Sequence, residues 1–133
     1  DFPLFPGGED MLQALKAAGK KLSIASSKRE TQVVHMLHQQ GVFHLFDAIA
    51  GKQDDNQGAK PFVIARALEK LGASADNTVM VGDRKYDVEG AHKFGIPCVC
   101  VLFGTAPEQE LLDAKVDALV HSNKALTELL LGT

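Results

Sequence analysis

Residues 78–101, TVMVGDRKYDVEGAHKFGIPCVCV, restrict the fold more than any other stretch of this chain. An apolar run ends in Gly82-Asp83, an amphipathic segment follows over residues 86–94, Gly95 stops it, and a second apolar run starts at Pro97. A short apolar strand, a helix and another apolar strand make a βαβ unit, and such strands lie parallel. Strands that are apolar on both faces belong to a sheet covered by helices on both sides. Two carboxylates, Asp83 and Asp87, stand four residues apart where the first strand ends.

The alternation extends along the whole chain. Residues 9–18 predict a helix with Met11, Leu12, Leu15 and Ala18 on one face and Gly19 as its stop. KLSIAS (21–26) predicts a strand, residues 29–40 a helix ended by Gly41, and FDAIAG (46–51) a weaker strand. Residues 61–71 predict a helix with Pro61 in its first turn and Gly72 at its end. TVMVGD (78–83) and PCVCVLFG (97–104) are the clearest strands, and PEQELLDA (107–114) and KALTELLL (124–131) are closing helices around DALV (117–120). The terminal Leu run reads as core packing or an interface. The expectation is an α/β fold with a parallel sheet, one domain over residues 1–133. Uneven spacing of the Gly-ended helices excludes a solenoid.

Composition excludes several classes of function. The net charge is -3, with both signs interspersed, so there is no basic footprint for nucleic acid or an anionic membrane. The apolar runs are far shorter than a bilayer span, and DFPLFPGGED lacks the basic start and apolar stretch of a signal peptide. Cys98 and Cys100 alternate on one strand face, where neighbours cannot easily bridge, and read as buried thiols of a cytoplasmic protein. The histidines 35, 38, 44, 92 and 121 are scattered. His35 and His38 share a helical face but lack a third ligand, so they read as surface or boundary residues.

In open α/β sheets ligands bind beyond the carboxyl ends of the strands. There the sequence sets Ser26-Ser27-Lys28, Gly82-Asp83-Arg84 and Gly104-Thr105, with Lys60 just before a helix. A hydroxyl, neighbouring backbone N–H groups and a lysine form a cradle for phosphate. Two carboxylates facing that cradle would repel the anion unless a cation lay between them, and Mg2+ suits carboxylate, water and phosphate ligands. Each residue alone has a plainer reading: Ser26 as a polar strand end, Lys60 as a solvated lysine, Asp83 as a turn or cap, Asp87 as a first-turn carboxylate. Arg84 and Lys85 read first as exposed loop bases. Order and location of the set carry the signal.

IASSK, KPFVIARALEKLG and VMVGDRKYDVEGAHKFGIPCVCVLFG, in that order, resemble the haloacid dehalogenase-like hydrolases, and within them phosphatases of the phosphoglycolate phosphatase type. The resemblance covers essentially the whole chain; LFPGGEDMLQALKAAGKKLSIAS is similar to the segment by which such proteins re-enter their core after a cap. It implies a three-layer α/β/α Rossmann-like sheet, incomplete at the N-terminus. It implies catalytic and phosphate-binding roles for Ser26 and Lys60, a phosphate-binding amide at Ser27, and Mg2+ held directly by Asp83 and directly or through water by Asp87. The substrate would be a small phosphate monoester: phosphoglycolate, a nucleoside monophosphate or a sugar phosphate.

The family's nucleophile lies in an Asp-x-Asp stretch, and no two aspartates of this sequence stand two apart. The expectation is therefore that this chain alone does not turn over, and that the family's central strand, between the strands matching residues 21–26 and 78–83, is supplied otherwise. A second polypeptide, a swapped copy, or closure of the two halves on each other would each do so. The alternative functional readings are a non-catalytic module binding Mg2+ and phosphate or a partner, and a receiver-like domain. The order of Lys60 before Asp83 argues against the receiver.

Overall fold

The computed structural model describes residues 8–53, 60–102 and 108–132. In chain order the elements are α1 (Gly8–Ala17), β1 (Ser23–Arg29), α2 (Glu30–Gln39), β2 (Ala48–Lys52), α3 (Lys60–Leu71), β3 (Met80–Gly82), α4 (Lys85–Lys93), β4 (Cys98–Val101), α5 (Glu108–Asp113), β5 (Ala118–Val120) and α6 (Asn123–Leu131). Short 3-10 turns at Phe43–Leu45 and Ala75–Asn77 lead into β2 and β3. Gly19, Gly41, Gly72 and Gly95 all have positive φ, as expected where each closes a helix. No glycine follows α5, and Lys115 takes that conformation at φ 66.

All strand pairs are parallel, but they form two sheets rather than one: β1-β2 and β3-β4-β5. Among the described residues nothing runs between β1 and β3 to accept and donate their backbone hydrogen bonds. The two halves have not closed on each other, which corrects that one of the expected ways of filling the gap. Val79 and Val81 at the free edge remain 36% and 40% exposed.

Packing holds the halves together instead. On β4, Cys98 and Cys100 face α3, α4 and α5 through Ile64, Val88, Ala91 and Leu111. Val99 and Val101 face α1 and α6 through Leu15, Leu126 and Leu130. A strand covered on both faces is apolar at every position, and this accounts for the unbroken CVCV. Helix α1 spans the division: Leu12 packs with Ile24 of β1, while Leu15 packs with β4. On the opposite face α3 contacts β1, β2 and α4.

The strands differ from expectation at their ends. β1 continues to Arg29, so Ser26 and Ser27 lie within it and α2 begins at once with Glu30. Lys60 opens α3 rather than preceding it. Gly104 and Thr105, and the end of the strand expected over 97–104, lie outside the described residues.

Candidate active site

Ser26 is 3% exposed. Its hydroxyl oxygen accepts from the Lys28 N–H at 3.1 Å, a local turn that leaves the hydroxyl proton uncommitted among the described residues. Ser27 continues the strand, and its side chain lies outside what is described. Lys60 Nζ donates to the carbonyl of Ala25 at 3.1 Å and pairs with Asp87 Oδ1 at 2.9 Å. The ammonium thus bridges Ala25 of β1, the residue before Ser26, and the first turn of α4.

Asp87 is buried, at 6% exposure. Its Oδ2 accepts from the N–H groups of Asp83 at 3.0 Å and Arg84 at 3.2 Å. Both oxygens are therefore engaged: the carboxylate caps the turn between β3 and α4 and also carries the ion pair. A Cβ at residue 82 would collide with the Asp87 side chain, so only glycine lets the strand end pass so close to this carboxylate. A Cβ at residue 90 would lie 2.9 Å from Ile64 Cδ1 and from Lys60 Cγ. Gly90 thereby lets α4 approach α3, and the stem of Lys60 runs through the contact.

Asp83 differs from Asp87. It is exposed, and its carboxylate takes no hydrogen bond or ion pair among the described residues. It suits a hard divalent cation as one ligand of several, with water, phosphate and groups from elsewhere completing the shell. Asp87 would have to share an oxygen to join it. Among the described residues no three His, Cys, Asp or Glu side chains group so as to hold a metal alone.

Outside this turn Glu110 clasps Arg84. Its carboxylate takes Arg84 Nε at 2.8 Å and Nη2 at 3.0 Å, and the Lys85 N–H at 3.2 Å. The Arg84 hydrogen bonds hold the Glu110 carboxyl down at about 2. Lys85 and Arg84 flank the exposed Tyr86 ring, at 5.3 and 5.8 Å from its centre. No local pattern singles out Glu110, which lies in the stretch read as a helix over 107–114. Gly90 was legible in principle, because a glycine inside a helical pattern signals a close approach.

The remaining residues singled out above stand apart. His35 and His38 are exposed, and His38 stacks on Phe43 at 4.0 Å. His92 pairs with Asp117 at 2.7 Å on the far side of α4. Cys98 and Cys100 are free and buried, with sulfurs 4.0 Å apart. Their hydrogen bond, and then burial, push the Cys98 thiol up, so it stays protonated. No described helix is long and apolar enough to cross a membrane.

Residues 1–101 match the haloacid dehalogenase-like hydrolase family. Tyrosine-protein kinase PtkA of Mycobacterium tuberculosis is 40% identical over 102 residues, covering 76% of this chain and 35% of that protein. Phosphoglycolate phosphatase of Caulobacter vibrioides is 35% identical over 121 residues, covering 89% of this chain and 50% of that one. The crystal structure of a phosphatase, described as a predicted one, from Clostridium acetobutylicum superimposes with a TM-score of 0.93 at 34% identity. That match covers 97% of this chain and 60% of the other. The chain thus spans between about a third and three fifths of the relatives named here, 35% to 60% of their lengths.

Proposed function

Since the chain belongs to the haloacid dehalogenase-like hydrolase family, we propose that it is the phosphate- and metal-binding portion of an Mg2+-dependent phosphate monoester hydrolase of the phosphoglycolate phosphatase type. The observation that carries this reading is the position of Lys60 Nζ, shared between Ala25 O and Asp87 Oδ1 and set beside Ser26. Ser26 donates its hydroxyl proton to a phosphoryl oxygen, the Ser27 amide supports it, and Lys60 supplies the positive charge. Such donors act most strongly on charge that develops in the transition state. Asp83 ligates Mg2+, which when bound draws charge from the phosphoryl oxygens. Asp87 orients Lys60 and the Asp83 turn, and reaches the metal directly only by sharing an oxygen. The nucleophilic aspartate comes from a strand not contained in this sequence, which the complete protein seats between β1 and β3. The substrate is a small phosphate monoester, and two buried, unbridged thiols suit a cytoplasmic setting.

The test is phosphate release by the complete protein from phosphoglycolate, nucleoside monophosphates and sugar phosphates, with and without Mg2+. The reading expects release that needs Mg2+ and is lost in Asp83→Asn, and none from residues 1–133 alone. Release with unchanged Mg2+ dependence in Asp83→Asn would refute the metal assignment.

The 40% identity to a tyrosine-protein kinase favours one further reading, in which the same site passes its phosphoryl group to a tyrosine rather than to water. Incubating the complete protein with ATP and Mg2+ separates the two: phosphotyrosine on a protein acceptor supports transfer, and its absence, with phosphate released from the monoesters above, supports hydrolysis.

A further inference from the structure

We infer that Glu110 is a positioning residue that keeps the Arg84 guanidinium off the neighbouring Asp83 carboxylate and so leaves Asp83 open to a cation. The inference rests on the proposed metal role of Asp83. The turn from Gly82 to Lys85 is held from two sides. From within, Asp87 Oδ2 takes the N–H groups of Asp83 and Arg84. From outside, Glu110 takes the Lys85 N–H and grips Arg84 through both carboxylate oxygens. A paired guanidinium and carboxylate of this geometry form a charge-assisted, bidentate contact.

Without Glu110, Arg84 is a mobile cation one residue from an exposed carboxylate that has no other described partner. Released, it would compete for that carboxylate with a divalent ion, since both are cations. Glu110 is well placed to prevent this. Its side chain is only 17% exposed, and the next residue, Leu111, is fully buried in the core, which fixes the helix that carries it. The Arg84 side chain is 50% exposed and has room to swing once released.

The experiment titrates Mg2+ alone, without substrate, into the complete protein by calorimetry, with each variant's melting temperature read in parallel. Glu110→Gln should raise the dissociation constant about three- to fivefold, the upper range of a partly screened charge contact. Adding Arg84→Ala to it should restore affinity to within about twofold of wild type, and Arg84→Ala alone should bind at least as tightly as wild type. Wild-type affinity in Glu110→Gln, or no restoration in the double variant, overturns the inference while Asp83→Asn still shows lost binding. Weaker binding by Arg84→Ala alone overturns it even if Glu110→Gln fails to fold. If Asp83→Asn binds as wild type does, the metal assignment itself fails, and the role of Glu110 with it.

Discussion

Lys60 and Asp87 depend on each other more than on solvent. Their side chains are 17% and 9% exposed, and the pair sits where the two half-sheets meet. Lys60→Ala leaves a buried carboxylate with only its two backbone donors, which should cost about 1–3 kcal/mol in urea unfolding. In the complete protein the same change should lower turnover as well as binding; full activity would remove Lys60 from the proposed site. Acid should weaken the structure through four carboxylates that their partners hold below the ordinary range. Glu110 is lowered from an ordinary 4.5 to about 2 by its Arg84 hydrogen bonds. Asp47 is lowered first by Lys16, and Asp117 first by the Cys98 N–H and then by His92. Burial pushes Glu30 up, but the Gly51 N–H, Lys70 and Arg66 together bring it down. Between the ordinary carboxylate range and these lowered values the unfolded chain binds more protons, so stability rises with pH there. Melting temperature should hold above about pH 5 and fall steadily toward pH 2; a flat profile would show these contacts to be weak.

At the scale of elements, two kinds of position are legible to different degrees. The helix-closing glycines were evident in the sequence, because a periodic pattern ending in Gly names its own stop. Lys115 was not, because lysine carries no local signal for the left-handed region. Lys115→Gly should raise stability by about 0.5–1 kcal/mol, measured by denaturant midpoint, since it relieves that conformation at the end of α5. Gly82→Ala should do the reverse, at about 1–3 kcal/mol or more, because the added methyl meets the Asp87 carboxylate. The β2 edge shows a third case. Gly51 N–H goes to Glu30, while Arg66 and Lys70 take the carbonyls of Gly51 and Ile49. Side chains from α2 and α3 thus occupy backbone groups that an exposed edge would offer to another chain. Nothing in the spacing of Glu30, Arg66 and Lys70 announces this, since they meet only once α2 and α3 are packed.

At the scale of the molecule the two sheets have opposite edges. The outer edge of β2 is covered by side chains, whereas among the described residues no strand pairs with the other edge of β1 or of β3. Met80 N–H bonds to Pro97 O, so in a parallel ladder the next residue, Val81, turns its backbone away from β4 toward the gap. Hydrogen exchange should therefore find the Val81 amide poorly protected in residues 1–133 and well protected in the complete protein, where the proposed strand would pair with it. Equal protection in both would refute a strand seated there.

The sequence by itself determined the order of helices and parallel strands, the double-sided burial of β4, and the candidate set Ser26, Lys60, Asp83 and Asp87, because periodicity and turn residues are local properties. It also showed that no Asp-x-Asp is present. Only the tertiary structure decided that Asp87 is a buried cap tied to Lys60 while Asp83 takes no hydrogen bond or ion pair among the described residues, that Glu110 grips Arg84, and that the described strands divide into two sheets. Each of these depends on distances between segments far apart in the chain, which packing sets and no local pattern encodes.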